Sequence, residues 1–385
     1  LVDIDSKDES NIKAVIDIPQ QKAKGLMLNN IQYKAPKLHL ELPISSDIKA
    51  ELDGELIDNT ITGKFSQNGL NGTFSLIKIA SVKAEKLPYR EENVSFKHGD
   101  VNLAGTLTLP EKKGNYPAVL LITGSGPQDR NEDIFGFKIF QIIADHLTRQ
   151  GIAVLRVDDR GVGQSKGGNT TQATTLDYVK DAKAGVEFLL KHSEINKNKI
   201  GLLGHSEGGI IAPLLAQQTK DVSFMVLMSG PSETGKKILA DQSKLISIAN
   251  ELSEQEINKN QLFQQKYFNA LETNTGWNEI KQELKTQIIE SINKLPVQAK
   301  AQIKDLNEYA ETTATQTLKN MTSEWFKFFI NYDPLPVLKK TTIPTLAIFG
   351  EKDLQVPAKS NSELMNSALR EAGNKNYMIK IFPYA

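Results

Sequence analysis

The sequence predicts an α/β fold in which a mostly parallel sheet carries a helical cap insertion and is preceded by a small antiparallel β domain. Near-continuous apolar runs recur from residue 117 onward, as they do in parallel strands that are buried on both faces. Amphipathic segments lie between these runs, and alternation of strand and helix produces a parallel sheet covered by helices. Before residue 80, apolar and polar residues alternate in short segments, which is typical of an antiparallel sheet with one solvated face.

Residues 1–85 are predicted to form the small β domain. Alternating apolar side chains such as Leu38, Leu40 and Leu42 indicate strands with one buried face. The pairs Asn68-Gly69 and Asn71-Gly72 are typical of the tight turns that close β-hairpins. We therefore expect a half-buried antiparallel sheet.

Residues 86–230 and 341–385 are predicted to form the α/β core. Its first element is a hairpin that turns through Gly99-Asp100. Buried strands are predicted at 118–122, 152–157, 200–203, 224–228 and 346–349. Amphipathic helices are predicted at 137–149, 176–191 and 209–217.

Residues 231–340 are predicted to form a helical cap between two core strands. Apolar residues at helical spacing include Ile238, Leu245 and Ile248, and so long an excursion from a compact domain needs structure of its own. The segment ends in an aromatic cluster made of Trp325, Phe326, Phe328, Phe329 and Tyr332. These aromatic side chains either pack the cap against the core or form the wall of an apolar substrate pocket beneath it.

Composition narrows the range of partners. The formal net charge is zero, with 46 basic and 46 acidic residues, so there is no electrostatic reason to expect a nucleic acid or an anionic membrane as partner. A small, weakly charged substrate is expected instead. The chain has no cysteine, which excludes disulfides and thiolate metal sites, and it has no apolar run long enough to predict a membrane span.

The pentapeptide Gly204-His205-Ser206-Glu207-Gly208 has the G-x-S-x-G pattern between an apolar strand and a helix, the context in which the pattern has meaning. Gly204 and Gly208 let the backbone turn sharply enough to hold a serine hydroxyl exposed above a sheet. Ser206 is therefore the predicted nucleophile, and the alternative is a serine that only shapes a turn.

A second match to the pattern, Gly163-Gln164-Ser165-Lys166-Gly167, lies in a different context. Glycine and polar residues follow it, and no helix is predicted there. We expect Ser165 to be a solvated serine in a loop.

A serine hydroxyl needs a base to take its proton and a carboxylate to orient that base. Asp353 lies in the turn 350–357, which follows the apolar strand 345–349 and is at the same sheet edge as Ser206. It is the predicted acid, and the alternative is a capping or solvated loop aspartate. All five histidines precede Asp353, and His205 should point away from the hydroxyl. A catalytic histidine is expected just beyond Ala385, so the chain as it stands is expected to be nearly inactive.

The glycine-rich turn after strand 118–122 is the predicted oxyanion segment. Gly124, Ser125 and Gly126 allow a backbone N–H to approach a developing oxyanion, and by position Ser125 is the donor, with the Glu207 N–H as the second donor. Phosphate binding is the alternative use of such a turn, but neither G-x-x-x-x-G-K-[ST] nor G-x-G-x-x-G is present here.

With these motifs the chain resembles the α/β-hydrolases, in particular bacterial esterases that have a G-S-G-P-x-D-R segment and a small N-terminal β domain and are related to serine aminopeptidase-like hydrolases. The matching residues are Gly124 to Pro127 with Asp129-Arg130, Asp159-Arg160-Gly161 with Gly163 and Ser165, Gly204 to Gly209, Tyr332-Asp333-Pro334, and Gly350 to Pro357. The resemblance implies cleavage of small carboxylic esters through an acyl-enzyme, without cofactor or metal. It also implies an exported bacterial enzyme, whose signal peptide is not present in this chain. Two alternatives stay open: a peptidase that acts on short peptides, and a catalytically silent binding protein.

Overall fold

The computed structural model describes residues 2–5, 13–18, 23–45, 48–67, 70–77, 87–134, 136–168, 170, 172–294, 300, 303 and 305–385. The chain divides into two compact units, the first comprising Leu1–Leu87 and Phe135–Phe137 and the second comprising Pro88–Ile134 and Lys138–Ala385.

The first unit is a seven-stranded antiparallel sheet whose strands follow one another in chain order. The strands are β1 (Val2–Asp5), β2 (Lys13–Ile18), β3 (Ala23–Lys34), β4 (Lys37–Ser45), β5 (Ile48–Ile57), β6 (Thr60–Gln67) and β7 (Leu70–Ile77). Alternate apolar residues, among them Leu28, Leu38 and Leu40, form its buried cluster. The expected antiparallel β fold is therefore confirmed.

The prediction of a hairpin turn at Asn71-Gly72 is wrong. Asn71 and Gly72 lie inside β7, where they pair with β6. Gly72 is required there by packing, because a Cβ at this position would lie 2.3 Å from a ring carbon of Phe65. The other pair, Asn68-Gly69, lies outside the described residues.

The second unit contains an eight-stranded sheet with the order β17-β16-β15-β14-β10-β13-β9-β8. Its strands are β8 (Tyr89–His98), β9 (Val101–Pro110), β10 (Tyr116–Ile122), β13 (Ala153–Val157), β14 (Ile195–His205), β15 (Phe224–Met228), β16 (Thr345–Gly350) and β17 (Tyr377–Phe382), with a short hairpin of β11 (Asp133–Ile134) and β12 (Phe137–Lys138) between β10 and β13. The strands from β10 onward pair in parallel, and the β8–β9 hairpin adds antiparallel strands at one edge. The predicted fold class is confirmed.

Helices cover both faces of this sheet. The helices described in this unit are α1 (Ile139–Arg149), α2 (Thr175–Lys191), α3 (Gly208–Ala216), α4 (Gly235–Ala249), α5 (Glu254–Thr273), α6 (Trp277–Asn293), α7 (Leu306–Met321), α8 (Glu324–Asn331), α9 (Leu335–Leu338) and α10 (Ala358–Glu371). Successive side chains of a strand point to opposite faces, so Leu120 and Ile122 of β10 pack in the cluster with α2 and α3, whereas Val119 and Leu121 pack with α1. The sheet is thus buried on both sides, as the continuous apolar runs indicate.

Helices α4 to α8 lie between β15 and β16 and have an apolar cluster of their own. This cluster includes Phe268, Phe329 and Ile330 and extends to Ile210 of α3. Phe329 therefore packs the helical segment against the core, as one of the two interpretations of the aromatic cluster predicts. Across the described ranges, no helix combines the length and apolarity needed to cross a bilayer.

Candidate active site

The predicted nucleophile Ser206 lies on a sharp turn between β14, which ends at His205, and α3, which begins at Gly208. Its φ is +51°, a left-handed conformation that costs energy for a residue with a Cβ. The turn is held by backbone hydrogen bonds from Ser206 N–H to the Met228 oxygen (2.9 Å) and from Gly209 N–H to the Ser206 oxygen (2.8 Å). This is the strand–turn–helix geometry that G-x-S-x-G needs in order to present a hydroxyl.

Close approach of the backbone explains the two flanking glycines. A Cβ on Gly204 would lie 2.0 Å from the oxygen of Gly208, and a Cβ on Gly208 would lie 2.3 Å from the oxygen of Ile122. Any larger residue at either position would therefore push the turn away from the sheet.

The predicted acid Asp353 lies in the turn that follows β16. Because β15 pairs with both β14 and β16, the ends of those two strands are about 10 Å apart. Oδ1 of Asp353 accepts hydrogen bonds from the N–H groups of Gln355 (2.8 Å) and Val356 (3.0 Å), so this oxygen does cap its own loop. Oδ2 takes part in neither bond. The structure thus brings Ser206 and Asp353 to the same edge of the sheet.

The predicted oxyanion segment passes directly over Ser206. A Cβ on Gly124 would lie 3.3 Å from the Cβ of Ser206, and Gly126 adopts φ +92°, which favours glycine. The N–H of Gly124 donates to Oε1 of Glu132 (2.7 Å) and is not free. Within the described part of the chain, the N–H groups of Ser125 and Glu207 have no protein acceptor, which leaves both available to a ligand.

Two carboxylates with no role assigned from the sequence, the partly buried Asp159 and the buried Glu132, hold this segment in place. Asp159 accepts hydrogen bonds from the Thr123 hydroxyl (2.8 Å) and the Gln128 N–H (2.9 Å), at the two ends of the segment. Glu132, only 1% exposed, accepts from Gly124 as described above. Asp159 lies in the D-R-G motif, which marked it in the sequence without a role. Nothing local marks Glu132, because its partners are known only once the chain is folded.

The second G-x-S-x-G match has a structural role, and the expectation that Ser165 is solvated is wrong. Ser165 is 0% exposed. Its hydroxyl donates to the Asp158 oxygen (2.7 Å) and accepts from the Ala104 N–H (2.9 Å), so it joins the loop after β13 to β9. Both hydrogen-bonding functions of the hydroxyl are satisfied, which makes its burial tolerable.

The five histidines do not include one placed between Ser206 and Asp353 as a base. Nδ1 of His205 pairs with Oε1 of Glu132 at 2.7 Å, so its ring is held at the oxyanion segment. The others lie elsewhere: His39 beside Asp53, His98 beside Asp181, His192 beside Glu92, and His146 in α1.

Asp159, which accepts hydrogen bonds from both ends of the oxyanion segment, is a titratable group. Burial raises the pKa of the Asp159 carboxyl to about 7, the charges of Glu207 and Glu132 act in the same direction, and the hydrogen bonds from Gln128 and Thr123 oppose them. An aspartate in the unfolded chain loses its proton near pH 4. Between these two values the folded protein binds one proton more than the unfolded chain, so this group makes stability fall as the pH rises.

We expect Asp159→Asn to remove this dependence. From about pH 5 to about pH 8 the ionisation of Asp159 should lower the free energy of unfolding by about 3 kcal/mol relative to the variant, which cannot ionise there. Urea unfolding of both proteins at both pH values measures the difference, and groups that titrate in both cancel. An identical pH dependence in the two proteins would contradict the shifted pKa.

Comparisons with known proteins agree with this geometry. The chain is 27% identical over 308 residues to Esterase EstD of Thermotoga maritima, covering 79% of this chain and 63% of that protein, so it spans less than two thirds of that relative. It is also 27% identical over 128 residues to human acyl-coenzyme A thioesterase 1, covering 33% of this chain and 26% of that protein. The structure of the Pyrococcus furiosus esterase Pf2001 shares the fold, with a TM-score of 0.50, 16% identity, and coverage of 80% of this chain and 87% of that chain.

A family model described as Serine aminopeptidase, S33 (Hydrolase_4) matches residues 137–383, which include the Ser206 turn and the Asp353 loop. The match spans more than half of the chain. The chain therefore belongs to the Hydrolase_4 family of α/β-hydrolases, the serine aminopeptidase S33 family.

Proposed function

We propose that this protein is a serine hydrolase that cleaves carboxylic esters through an acyl-enzyme, with Ser206 as nucleophile and Asp353 as the acid that orients the base. The observation that carries the proposal is the strained Ser206, which lies beneath the oxyanion segment and at the same sheet edge as Asp353. A structural turn serine would need none of this arrangement.

In the proposed mechanism, Oγ of Ser206 attacks the ester carbonyl while a histidine base takes the hydroxyl proton. The N–H groups of Ser125 and Glu207 stabilise the oxyanion of the tetrahedral intermediate. The C–O bond to the alcohol then breaks, and the protonated histidine returns its proton to the departing alcohol. Water then attacks the acyl-enzyme carbonyl in place of the alcohol, and the histidine takes its proton. The bond to Ser206 breaks, the histidine returns the proton to Oγ, and the acid is released.

The proposed mechanism needs a histidine base held beside the turn that carries Asp353. The Ala385 oxygen accepts a hydrogen bond from the Lys352 N–H (2.6 Å), so residue 385 lies on the turn that carries Asp353. A histidine a few residues further on would be within reach of the Asp353 carboxylate.

Residues 231–340 act in this proposal as a cap that restricts access to Ser206. Trp325 and Phe326 of the cap are partly buried against its apolar cluster. A pocket wall formed by such apolar side chains would suit a small acyl group. The relative named an esterase supports an ester substrate. The family description names an aminopeptidase, which makes a peptidase acting on short peptides the second candidate.

Paired substrates separate these two candidates. We expect the full-length protein to hydrolyse p-nitrophenyl acetate and butyrate with a kcat/KM at least a hundredfold above that for aminoacyl p-nitroanilides, because the proposed mechanism includes no contact with a peptide amino terminus. Peptide mapping after reaction with a fluorophosphonate should locate the adduct on Ser206. A preference for the anilides would favour the peptidase. The absence of both turnover and an adduct would favour the catalytically silent binding protein.

A further inference from the structure

The side chain of Glu207, next to the nucleophile, is buried and does not face solvent; the residue is 2% exposed. Its carboxylate accepts hydrogen bonds from the Thr175 hydroxyl (2.7 Å) and from Nε1 of Trp325, at 2.8 Å to Oε1 and 3.1 Å to Oε2. The Ser125 hydroxyl also interacts with this carboxylate. Only the backbone N–H of Glu207 has a part in the proposed mechanism, so the side chain is unexplained by it.

These partners come from separate elements of the fold. Thr175 is the first residue of α2, whose start is fixed by a capping box of Thr174 and Asp177. Trp325 is in the first turn of α8, which begins after Ser323 because that hydroxyl accepts from the Phe326 N–H (3.2 Å). Ser125 belongs to the oxyanion segment. One carboxylate therefore joins α2, the helical segment and the oxyanion segment to the Ser206 turn.

The chemistry of the donors favours a carboxylate at this position. An indole N–H can only donate, so it needs an acceptor oxygen, and the two oxygens of a carboxylate can accept from all of these groups at once. The amide of a glutamine would turn one oxygen into a donor that faces other donors. A buried charge is costly unless hydrogen bonds compensate it, and here they do so from several sides.

We propose that Glu207 is a positioning residue whose carboxylate fixes Trp325 of the cap against the turn that carries Ser206. The proposal rests on the proposed function for its effect on catalysis. The contact itself is a property of the fold and can be tested without turnover.

The two tryptophans of the chain offer a direct probe of that contact. Trp277, whose Nε1 donates to Asn274 (3.1 Å), can be replaced by phenylalanine, which leaves Trp325 as the sole indole emitter. In this Trp277→Phe background we expect Glu207→Gln to shift the emission maximum and to make Trp325 more accessible to acrylamide. Unchanged emission and quenching would overturn the proposed contact.

A pH titration of the Trp325 emission is a second test, because a Glu207 side chain with only a structural role would not change this emission as it titrates. Burial raises the pKa of Glu207, and the hydrogen bonds from Thr175, Trp325 and Ser125 oppose this. Asp159 and Tyr178 are the other titratable groups that act here. We expect Trp325 emission to change as the pH falls through the raised pKa of Glu207, and this step to disappear in Glu207→Gln while any step due to Asp159 stays. Titration curves that coincide would count against the proposal.

Kinetics of the full-length protein test the catalytic part. Because a displacement of about 1 Å near the reacting atoms can cost about 10²-fold in rate, we expect Glu207→Gln and Trp325→Phe each to lower kcat by about tenfold to a hundredfold with a smaller change in KM. The double variant should be little worse than the poorer single variant, because both remove the same contact. Wild-type kcat in either variant, or multiplicative losses, would overturn it. If the wild-type protein itself fails to react with a fluorophosphonate at Ser206, the proposed function fails instead, and the fluorescence result still decides the contact.

Discussion

Replacing Ser206 with alanine is expected to lower kcat for p-nitrophenyl acetate by about 10⁶-fold in the full-length protein and to abolish labelling by a fluorophosphonate. The methyl group of alanine cannot attack a carbonyl. A stopped assay at high enzyme concentration measures the residual rate, and intact mass spectrometry measures the adduct. A persistent adduct in Ser206→Ala would move the nucleophile elsewhere.

Ser165 provides the matched control, because it has the same local pattern and a different environment. Ser165→Ala loses the hydrogen bonds to Asp158 and Ala104 inside the protein, so it should lower the free energy of unfolding by about 1–3 kcal/mol. Labelling at Ser206 and kcat should stay close to wild type. Ser206→Ala would then lower the reaction rate, whereas Ser165→Ala would lower the free energy of unfolding.

Asp353→Asn is expected to lower kcat by about 10⁴-fold, because an amide in place of the carboxylate neither holds the neutral imidazole in the correct tautomer nor stabilises the imidazolium that forms during the reaction. Glu351→Gln is the control: Glu351 is in the same turn and accepts from the Tyr384 N–H, but it has no proposed part in the chemistry. Rates measured over a range of pH would show whether the loss persists when the histidine is unprotonated. If Asp353→Asn retained ordinary turnover, Asp353 would be only the loop-capping residue that its Oδ1 contacts describe.

The strands and turns of the core could be predicted from the sequence because the residue patterns that determine them are local. The apolar run 224–228 coincides with β15, and the G-x-S-x-G turn follows from its own glycines and flanking elements. The hairpin through Gly99-Asp100 is likewise confirmed between β8 and β9. In each case the residues that determine the structure are close together in the chain.

Contacts between distant residues could not be predicted in the same way. Glu132 and His205 are 73 residues apart, and Glu207 and Trp325 are 118 apart, so no periodicity connects them. The burial of Ser165 depends on a partner in another strand, and a glycine-rich loop gives no sign of it. Asn71-Gly72 has the composition of a turn, yet packing against Phe65 places it within a strand. Local composition is overridden wherever a neighbour from elsewhere fills the space.

The left-handed backbone at Ser206 has a consequence for how this chain was selected. A side chain at φ +51° costs on the order of 1 kcal/mol relative to glycine, in a molecule whose net stability is only some tens of times the thermal energy. Evolution for folding alone would therefore favour glycine at position 206. Holding a hydroxyl at this position therefore has a cost in folding stability, which the reactivity proposed for Ser206 would offset.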